Sequence, residues 1–165
     1  MDPKFRSNLE SSKGKELYGY QKTAIDQILD TFNKNRDNYN LLFQLPTGGG
    51  KTVIFSELTK RFILAKGKKV LILTHRIELL GQTSSMLTEI GVPNKVINAK
   101  VKDLDDGENH WCYVAMVETL NNRINDEAME FEDLGLVIVD EAHYNSFRKL
   151  FKHFNEQALL GVTAT

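Results

Sequence analysis

The residues of this chain that could carry out chemistry are concentrated in two short segments. Residues 44–52 (QLPTGGGKT) put three glycines, a lysine and a threonine between an apolar run of strand length and a helical pattern. Residues 139–143 (VDEAH) put two adjacent carboxylates at the end of another apolar run. Each segment alone has an ordinary structural interpretation. Together they predict a site that binds a nucleoside triphosphate with Mg²⁺ and directs a water molecule at its last phosphate.

The glycine-rich segment predicts a phosphate-binding loop. Its glycines lack a Cβ, so the chain can wrap closely around an anion. The N–H groups that open the following helix have no intrahelical partner and point at the phosphates. Lys51 is placed to reach the β- and γ-phosphates, and the Thr52 hydroxyl to ligate Mg²⁺. The predicted nucleotide-binding residues of this segment are Pro46, Thr47, Gly48, Gly49, Gly50, Lys51 and Thr52.

One position of the loop departs from the full pattern, which has a glycine where this chain has Leu45. The structural alternative for the segment is a glycine-rich turn between a strand and a helix, with a solvated lysine. That alternative is realistic for the three glycines alone. It becomes a minor one when Lys51, Thr52 and the flanking strand and helix patterns are included.

The acidic pair is predicted to lie beside this loop. Residues 134–139 are apolar except at Gly135, as in a strand that is buried on both faces. Ligands of open parallel sheets bind at the carboxyl ends of strands. Asp140 would hold Mg²⁺ through its water shell, and Glu141 would orient and deprotonate the attacking water. The alternative, acids that complement a helix dipole, explains one carboxylate but not its combination with a phosphate loop.

These motifs resemble those of a known family. Residues 140–143 (DEAH) match the second motif of superfamily-2 helicases, and residues 46–52 are similar to their first motif, which often lacks the leading glycine. Other family motifs are resembled, in the same order, by residues 17–21, 73–82, 114–120 and 161–165. The resemblance runs from about Leu17 to the last residue. It is strongest for the restriction-subunit-like branch, which includes DNA translocases, repair helicases and restriction motors.

The resemblance implies roles for residues outside the two main motifs. Gln21 would read the adenine of ATP, although an ordinary glutamine at a helix start, or stacking of Tyr18 on the base, are the alternatives. His143 would contact the motif that contains Thr163 and Thr165 and so link hydrolysis to domain movement; a polar contact beside the Mg²⁺ site is the alternative. The predicted catalytic residues are therefore Lys51, Asp140, Glu141 and His143, and the predicted Mg²⁺ ligands are Thr52 and Asp140.

Nucleic-acid contacts are predicted in the loops that follow two strands. The resemblance implies that Thr74, Arg76 and Thr119 bind the phosphate backbone of a single strand and position it without reading bases. Glu118 stands where the family commonly has a glutamine, so no contact is assigned to it. For Trp111 we prefer packing in the core to stacking on a base.

A cationic run precedes these residues, but its pattern favours a structural interpretation. Its members would lie at a helix C-terminus and in the turn after it, where cations complement the helix dipole. They are Lys60, Arg61, Lys66, Lys68 and Lys69.

The alternation of strand and helix patterns predicts an α/β fold, a RecA-like P-loop domain with a parallel sheet sandwiched between helices. Strands are predicted at residues 40–45, 70–73, 95–99, 112–117, 134–139 and 159–163, and helices at 21–34, 52–65, 77–90 and 147–154. Residues 1–15 are interpreted as a mobile leader and 16–165 as one domain. Because the sequence stops within a motif, we expect truncation before a second RecA-like domain that supplies catalytic arginines.

Composition limits the class of protein. The chain has 165 residues, 41% of them hydrophobic and 26% charged, which suits one globular domain. Its single cysteine, Cys112, excludes a disulfide framework and favours the reducing cytoplasm. No apolar run reaches the length of a membrane span. The net charge of −1 means that any nucleic-acid surface must be local.

The sequence therefore predicts the ATP-binding motor domain of a helicase or translocase that couples ATP hydrolysis to movement on DNA or RNA. DNA is favoured over RNA as the partner, but the sequence does not decide between them. On its own the domain should be nearly inactive, because in-line phosphoryl transfer normally needs arginines from the partner domain. Three alternatives remain: a restriction-type DNA translocase subunit, a nucleic-acid sensor that uses ATP as a switch without unwinding, and a small P-loop kinase. A kinase should carry an acceptor-binding lid, which nothing in the sequence resembles.

Overall fold

The computed structural model describes residues 1–14, 16–45, 50–98, 100, 109–125, 131–141 and 152–164. These residues form one six-stranded sheet and five helices. The strands are β1 (Asn40–Gln44), β2 (Lys69–Thr74), β3 (Asn94–Ile97), β4 (Cys112–Met116), β5 (Leu134–Asp140) and β6 (Ala158–Thr163). The helices are α1 (Pro3–Ser11), α2 (Gly19–Lys34), α3 (Lys51–Lys66), α4 (Ile77–Glu89) and α5 (Val117–Asn125).

All strand pairs in the sheet are parallel, and the strand order is β1-β6-β5-β2-β4-β3. The central strand β5 is buried along its whole length. Because helices cover both faces of such a sheet, a central strand reads as a continuous apolar run. The edge strand β1 instead alternates between exposed and half-buried positions, and Leu42 is 60% exposed.

Two apolar clusters pack on opposite faces of the sheet. On β2, Val70 and Ile72 join a cluster that includes residues of α1 to α4, whereas Leu71 and Leu73 join one that includes Leu120 of α5. Neighbouring residues of a strand point to opposite faces, so this division is the expected one. The predicted α/β fold, with a parallel sheet between helices, is confirmed.

The N-terminal segment differs from the sequence-based interpretation. Residues 3–11 form a helix instead of a leader without structure, and Leu9 is 1% exposed. The Phe5 ring stacks on Trp111 with centroids 5.2 Å apart, which confirms packing for that tryptophan. The helix has an Asp2 cap that accepts from the Lys4 N–H at 2.9 Å, and Pro3 in its first turn. An Asp N-cap and a proline in the first turn both favour the start of a helix. The polar composition of the segment makes this signal easy to miss.

Two other helical predictions also need revision. Helix α5 occupies residues 117–125, where only the end of a strand had been predicted. The helix predicted at 147–154 falls largely outside the described residues, and the part that is described, 152–154, is not helical. The remaining predicted strands and helices agree with the structure within a few residues. Among the described helices, none combines the length and apolar character needed to cross a membrane.

The cationic run is structural, but not through the helix dipole alone. Lys60 lies in the middle of α3, is 7% exposed, and donates from Nζ to Ser12 O at 2.8 Å and to Ser12 Oγ at 3.0 Å. Arg61 forms an ion pair with Asp26 of α2, with Nη1 3.1 Å from Oδ1. Both side chains therefore join α3 to neighbouring segments. Only Lys66 lies in the last turn of α3.

Candidate nucleotide and nucleic-acid site

The carboxyl ends of β2 and β5 and the first turn of α3 surround a cavity of about 520 Å³. Parallel strands bring their carboxyl ends to one edge of the sheet, and this edge is where α/β sheets bind ligands. Seven of the residues predicted from sequence lie on the cavity walls: Gly50, Lys51, Thr52, Thr74, Arg76, Asp140 and Glu141. Its volume is within the range of about 300–1,000 Å³ that is typical of small-molecule sites.

The first turn of α3 is prepared to bind an anion. Gly50 caps the helix in the left-handed region, with φ of 70°, a conformation that side chains with a Cβ disfavour. The first intrahelical hydrogen bond runs from Ile54 N–H to Gly50 O, at 3.1 Å. The N–H groups of residues 51–53 therefore have no partner within the helix and point out of its positive end.

Lys51 and Asp140 face each other across the cavity, with Nζ and Oδ1 3.5 Å apart. Asp140 is 3% exposed, and this burial raises the pKa of its carboxyl above the ordinary value of 3.8. The Lys51 ammonium opposes the rise in the Asp140 pKa, while the neighbouring Glu141 charge adds to it. The site thus holds a carboxylate whose negative charge is only partly compensated.

The donor set fits Mg²⁺ bound with a nucleotide. The Thr52 hydroxyl and the Asp140 carboxylate are hard oxygen donors on the walls of one cavity. Mg²⁺ is commonly held by one or two carboxylates together with substrate phosphates and waters. Across the part of the chain that the structure describes, no group of three or more His, Cys, Asp or Glu residues could hold a metal by itself.

Glu141 has a strained backbone beside this pair. Its φ of 52° is in the left-handed region, which non-glycine residues seldom adopt. Its N–H donates to Asp140 Oδ1 at 2.9 Å, and its Oε1 lies 2.9 Å from Arg76 Nη2. Such strain concentrates at functional sites, where surrounding contacts hold it.

The residues predicted to bind nucleic acid lie along the same edge of the sheet. Thr74 is 3% exposed and its Oγ1 accepts from the Arg76 N–H at 3.2 Å, so its hydroxyl shapes the turn into α4. The Arg76 side chain is 62% exposed. Thr119 is half-buried in the first turn of α5, after β4, whose Met116 is in register with Thr74. The exposed member of the set is Arg76.

Gln21 lies next to the phosphate loop. It is 3% exposed, its Oε1 accepts from the Tyr18 N–H at 2.9 Å, and a Cβ on Gly50 would collide with its amide nitrogen. The amide therefore caps α2 and packs on the loop at once. Tyr18 is 72% exposed and stacks with Tyr20, with ring centroids 6.2 Å apart. The adenine contact remains a prediction for either residue.

The other predicted residues either do not line the cavity or lie outside the described part of the chain. Thr163 ends β6, beside β5, and its O accepts from the Leu45 N–H at 2.9 Å. The remaining predicted residues lie outside the described part of the chain: Pro46, Thr47, Gly48, Gly49, His143 and Thr165.

Sequence reasoning missed one wall of the cavity, which is formed by α4. Leu79, Gln82 and Thr83 line it, and Thr83 is 4% exposed. The sequence did contain a signal for this wall. Residues three and four positions apart share one face of a helix, and α4 begins directly after Arg76, so Leu79, Gln82 and Thr83 are expected on one face close to that residue.

Comparison with known families agrees with this geometry. The sequence model of the family described as type III restriction enzyme, res subunit, matches residues 14–165. The chain belongs to this family. The resemblance to superfamily-2 helicases is thereby confirmed, and the domain is a RecA-like domain of that superfamily.

Two of three curated relatives of this res-subunit family member carry helicase names, and the third is named a replication restart protein. The chain is 35% identical to the putative ATP-dependent helicase IRC3 of Saccharomyces cerevisiae, in a match that covers 90% of the chain and 23% of that protein. It is 28% identical to the human helicase POLQ-like (85% of the chain, 13% of that protein) and 27% identical to the replication restart protein PriA of Bacillus subtilis (78% and 16%). The chain thus spans about a quarter or less of these relatives' length.

Solved structures show the same fold. The T4 UvsW crystal structure matches 98% of the chain and 34% of its own, with a TM-score of 0.71 and 20% identity. A nuclease-deletion mutant of the type ISP restriction-modification enzyme LlaGI, in complex with a DNA substrate mimic, matches 92% of the chain and 18% of its own, with a TM-score of 0.69 and 21% identity. At these identities the likeness establishes the fold alone.

Proposed function

We propose that this domain binds ATP with Mg²⁺ and hydrolyses it, and that the protein uses this hydrolysis to move along DNA. The observation that carries the proposal is the arrangement of four residues around one cavity. Lys51 and Thr52 lie on the first turn of α3, and Asp140 and Glu141 lie opposite them at the end of β5. This combination supplies a phosphate-binding end, a metal-binding carboxylate and a candidate base.

The phosphates would bind at the first turn of α3. The free N–H groups of residues 51–53 and the Lys51 ammonium would share their negative charge. Thr52 and Asp140 would hold Mg²⁺, which when bound neutralises charge on the phosphates. At 3.5 Å, the contact of Lys51 with Asp140 is longer than a charge-assisted hydrogen bond of about 2.8 Å, so the ammonium can turn toward a phosphate. The rest of the loop, Pro46 to Gly49, would complete the cradle.

Glu141 would act as the general base. Its carboxylate lines the same cavity as Lys51, within reach of a water held beside the last phosphate. A carboxylate there can orient that water and take its proton. The family resemblance assigns adenine recognition to Gln21 and coupling to His143, Thr163 and Thr165. A second RecA-like domain would add the arginines that stabilise charge in phosphoryl transfer.

A single strand of nucleic acid would cross the carboxyl edge of the sheet. Arg76 would bind a phosphate there, since its guanidinium is exposed and forks of this kind recognise phosphate well. Thr119 would make a weaker contact, and Thr74 would act through the turn that it stabilises. DNA is favoured because the relative PriA is named for replication restart.

A second candidate is a restriction-type DNA translocase that moves on duplex DNA without separating its strands. The description of the matched family, a restriction enzyme subunit, favours it. A triplex-displacement assay reports translocation, and a strand-displacement assay reports unwinding. Displacement of a triplex strand without unwinding would select this candidate, whereas unwinding would select a helicase.

The decisive experiment measures ATP hydrolysis by the full-length protein with and without single-stranded DNA or RNA. We expect Mg²⁺-dependent hydrolysis that DNA stimulates more than RNA does. Stimulation without any displacement or translocation would favour a nucleic-acid sensor. If neither nucleic acid changes the rate and no hydrolysis is detected, the proposed function is wrong.

A further inference from the structure

We propose that Arg76 also positions Glu141, so that a bound nucleic-acid strand controls the residue that activates the attacking water. The inference rests on the proposed function, because it connects the predicted nucleic-acid contact to the predicted base. The connection is an ion pair, with Arg76 Nη2 2.9 Å from Glu141 Oε1.

The fold brings the two residues together through adjacent strands. β2 pairs with β5, and Leu73 is in register with Val139. The residues that follow each strand therefore meet at the same edge. The backbone of each residue is fixed by a hydrogen bond to a neighbouring side chain. The Arg76 N–H donates to Thr74 Oγ1, and the Glu141 N–H donates to Asp140 Oδ1. The ion pair thus joins two anchored turns.

The exposure of the two side chains is unequal. The Arg76 side chain is 62% exposed and that of Glu141 is 29% exposed. A phosphate of a bound strand can therefore approach the guanidinium from solvent while the carboxylate stays in the cavity. An ion pair between partly exposed groups is weak, and phosphate and carboxylate compete for the same guanidinium fork.

The ion pair holds the Glu141 carboxylate against the Arg76 guanidinium. In this position the carboxylate is turned toward Arg76. When a strand takes Arg76, the carboxylate is released and the side chain can turn toward the water beside the last phosphate. Glu141 also has a strained backbone, with a positive φ. A strained conformation depends on the contacts that surround it, and the ion pair with Arg76 is one of these contacts.

Linkage gives a test that needs no nucleotide. If strand binding breaks the ion pair, breaking the pair must favour strand binding by the same factor. We measure the affinity of the full-length protein for a fluorescent single-stranded oligothymidylate by anisotropy, for wild type, Glu141→Gln, Arg76→Gln and the double variant. Glu141→Gln should tighten binding about two- to fivefold in the wild-type background. In the Arg76→Gln background most of this gain should vanish.

The matched control is an ion pair between two helices, Arg61 of α3 with Asp26 of α2, whose atoms are 3.1 Å apart. The same cycle with Asp26→Asn and Arg61→Gln changes the net charge equally but lies away from the cavity. Its two effects on strand affinity should add, as those of independent sites do. Thermal melts verify that each variant is folded. Additive effects of Glu141→Gln and Arg76→Gln would overturn the inference.

Turnover supplies the second measurement. Arg76→Gln should raise ATP hydrolysis in the absence of nucleic acid and reduce the factor by which DNA stimulates it. Arg76→Lys, which keeps the charge but not the planar fork, should restore part of the stimulation. If Arg76→Gln leaves the basal rate unchanged and only raises the DNA concentration for half-stimulation, Arg76 merely binds DNA and the inference fails. A wild-type protein that neither binds the oligonucleotide nor hydrolyses ATP would refute the proposed function itself.

Discussion

Two of the three lysines of helix α3 lie in different environments. Lys51, in the first turn, faces the cavity, with its side chain 19% exposed and its nearest acidic partner, Asp140, 3.5 Å away. Lys60, in the middle of the helix, is 7% exposed and donates to two oxygens of Ser12 at 2.8 and 3.0 Å. Among the described residues, the Lys51 ammonium has one long contact and the Lys60 ammonium has two short ones.

The difference separates binding from folding within one helix. A buried ammonium is costly unless its hydrogen bonds are made, and Ser12 makes those of Lys60. Lys51 is placed where its remaining donors point into a cavity that a phosphate could enter. Removing Lys51 should therefore affect ligands, and removing Lys60 should affect stability.

The largest expected effect is on the rate of ATP hydrolysis and comes from a change in a residue that lines the cavity. Glu141→Gln keeps the size of the side chain but cannot accept a proton, so kcat for ATP hydrolysis should fall by about 10²–10⁴, while ATP affinity is retained. Glu78→Gln, at an exposed position of α4, is the control and should leave kcat near wild type. Normal turnover by Glu141→Gln would move the water-activating role to another residue.

The next effect is on nucleotide affinity. Lys51→Ala removes a charged donor to phosphate, and ATP affinity measured by calorimetry should fall about 10- to 100-fold, with little change in the melting temperature. Lys22→Ala, on the exposed face of α2, should change neither. Unchanged affinity in Lys51→Ala would show that the first turn of α3 is not the phosphate site.

The opposite pattern is expected for Lys60. Lys60→Met keeps the apolar stem but leaves the Ser12 carbonyl without its donor, so the free energy of unfolding should fall by about 1–3 kcal/mol. Urea denaturation measures this, with Lys66→Met at the exposed end of α3 as the control. Nucleotide affinity of the folded protein should not change. A loss of affinity with unchanged stability would break the distinction between the two lysines.

The smallest expected effect is on stability, which the buried carboxylate of Asp140 lowers at neutral pH. Because the pKa of Asp140 is raised in the folded protein, the folded state binds its proton more tightly than the unfolded state does. Stability from this group is fully present below its ordinary pKa of 3.8 and is lost as the pH rises through the folded value. Asp140→Asn should therefore raise the melting temperature at neutral pH, and this gain should shrink as the pH falls toward 3.8.

That gain in stability should accompany a loss of Mg²⁺-dependent hydrolysis, as is common when a functional carboxylate is neutralised. Scanning calorimetry at several pH values checks the first part. A melting temperature that is lower at neutral pH for Asp140→Asn would mean that the carboxylate stabilises the fold.

The sheet could be predicted well from the sequence because its central strands are nearly continuous apolar runs. The apolar runs of β2 and β5 leave little choice of structure, because such runs are typical of strands buried on both faces. The pairing of Arg76 with Glu141 could not be read in the same way, because it depends on β2 lying beside β5, strands that are not consecutive in the chain. The left-handed backbone of Glu141 likewise follows from tertiary contacts and not from its residue type.

The N-terminal helix was missed for a different reason. Its only large apolar residues are Phe5 and Leu9, one turn apart, too few to stand out as a periodic pattern. The Asp2 cap and Pro3 were local signals. What settles the helix is tertiary, namely the ring of Trp111 and the buried ammonium of Lys60.

The packing of α1 also bears on where the domain should be cut for study. The family match begins at residue 14, but Ser12 Oγ lies 2.8 Å from Ile90 O and the Ser12 carbonyl accepts from Lys60. A protein trimmed to the matched residues would lose the Phe5 ring that stacks on Trp111 and the Ser12 oxygens that accept from the Lys60 ammonium. The span of the family match is therefore shorter than the packed unit that the structure describes, and a protein made for study should include α1.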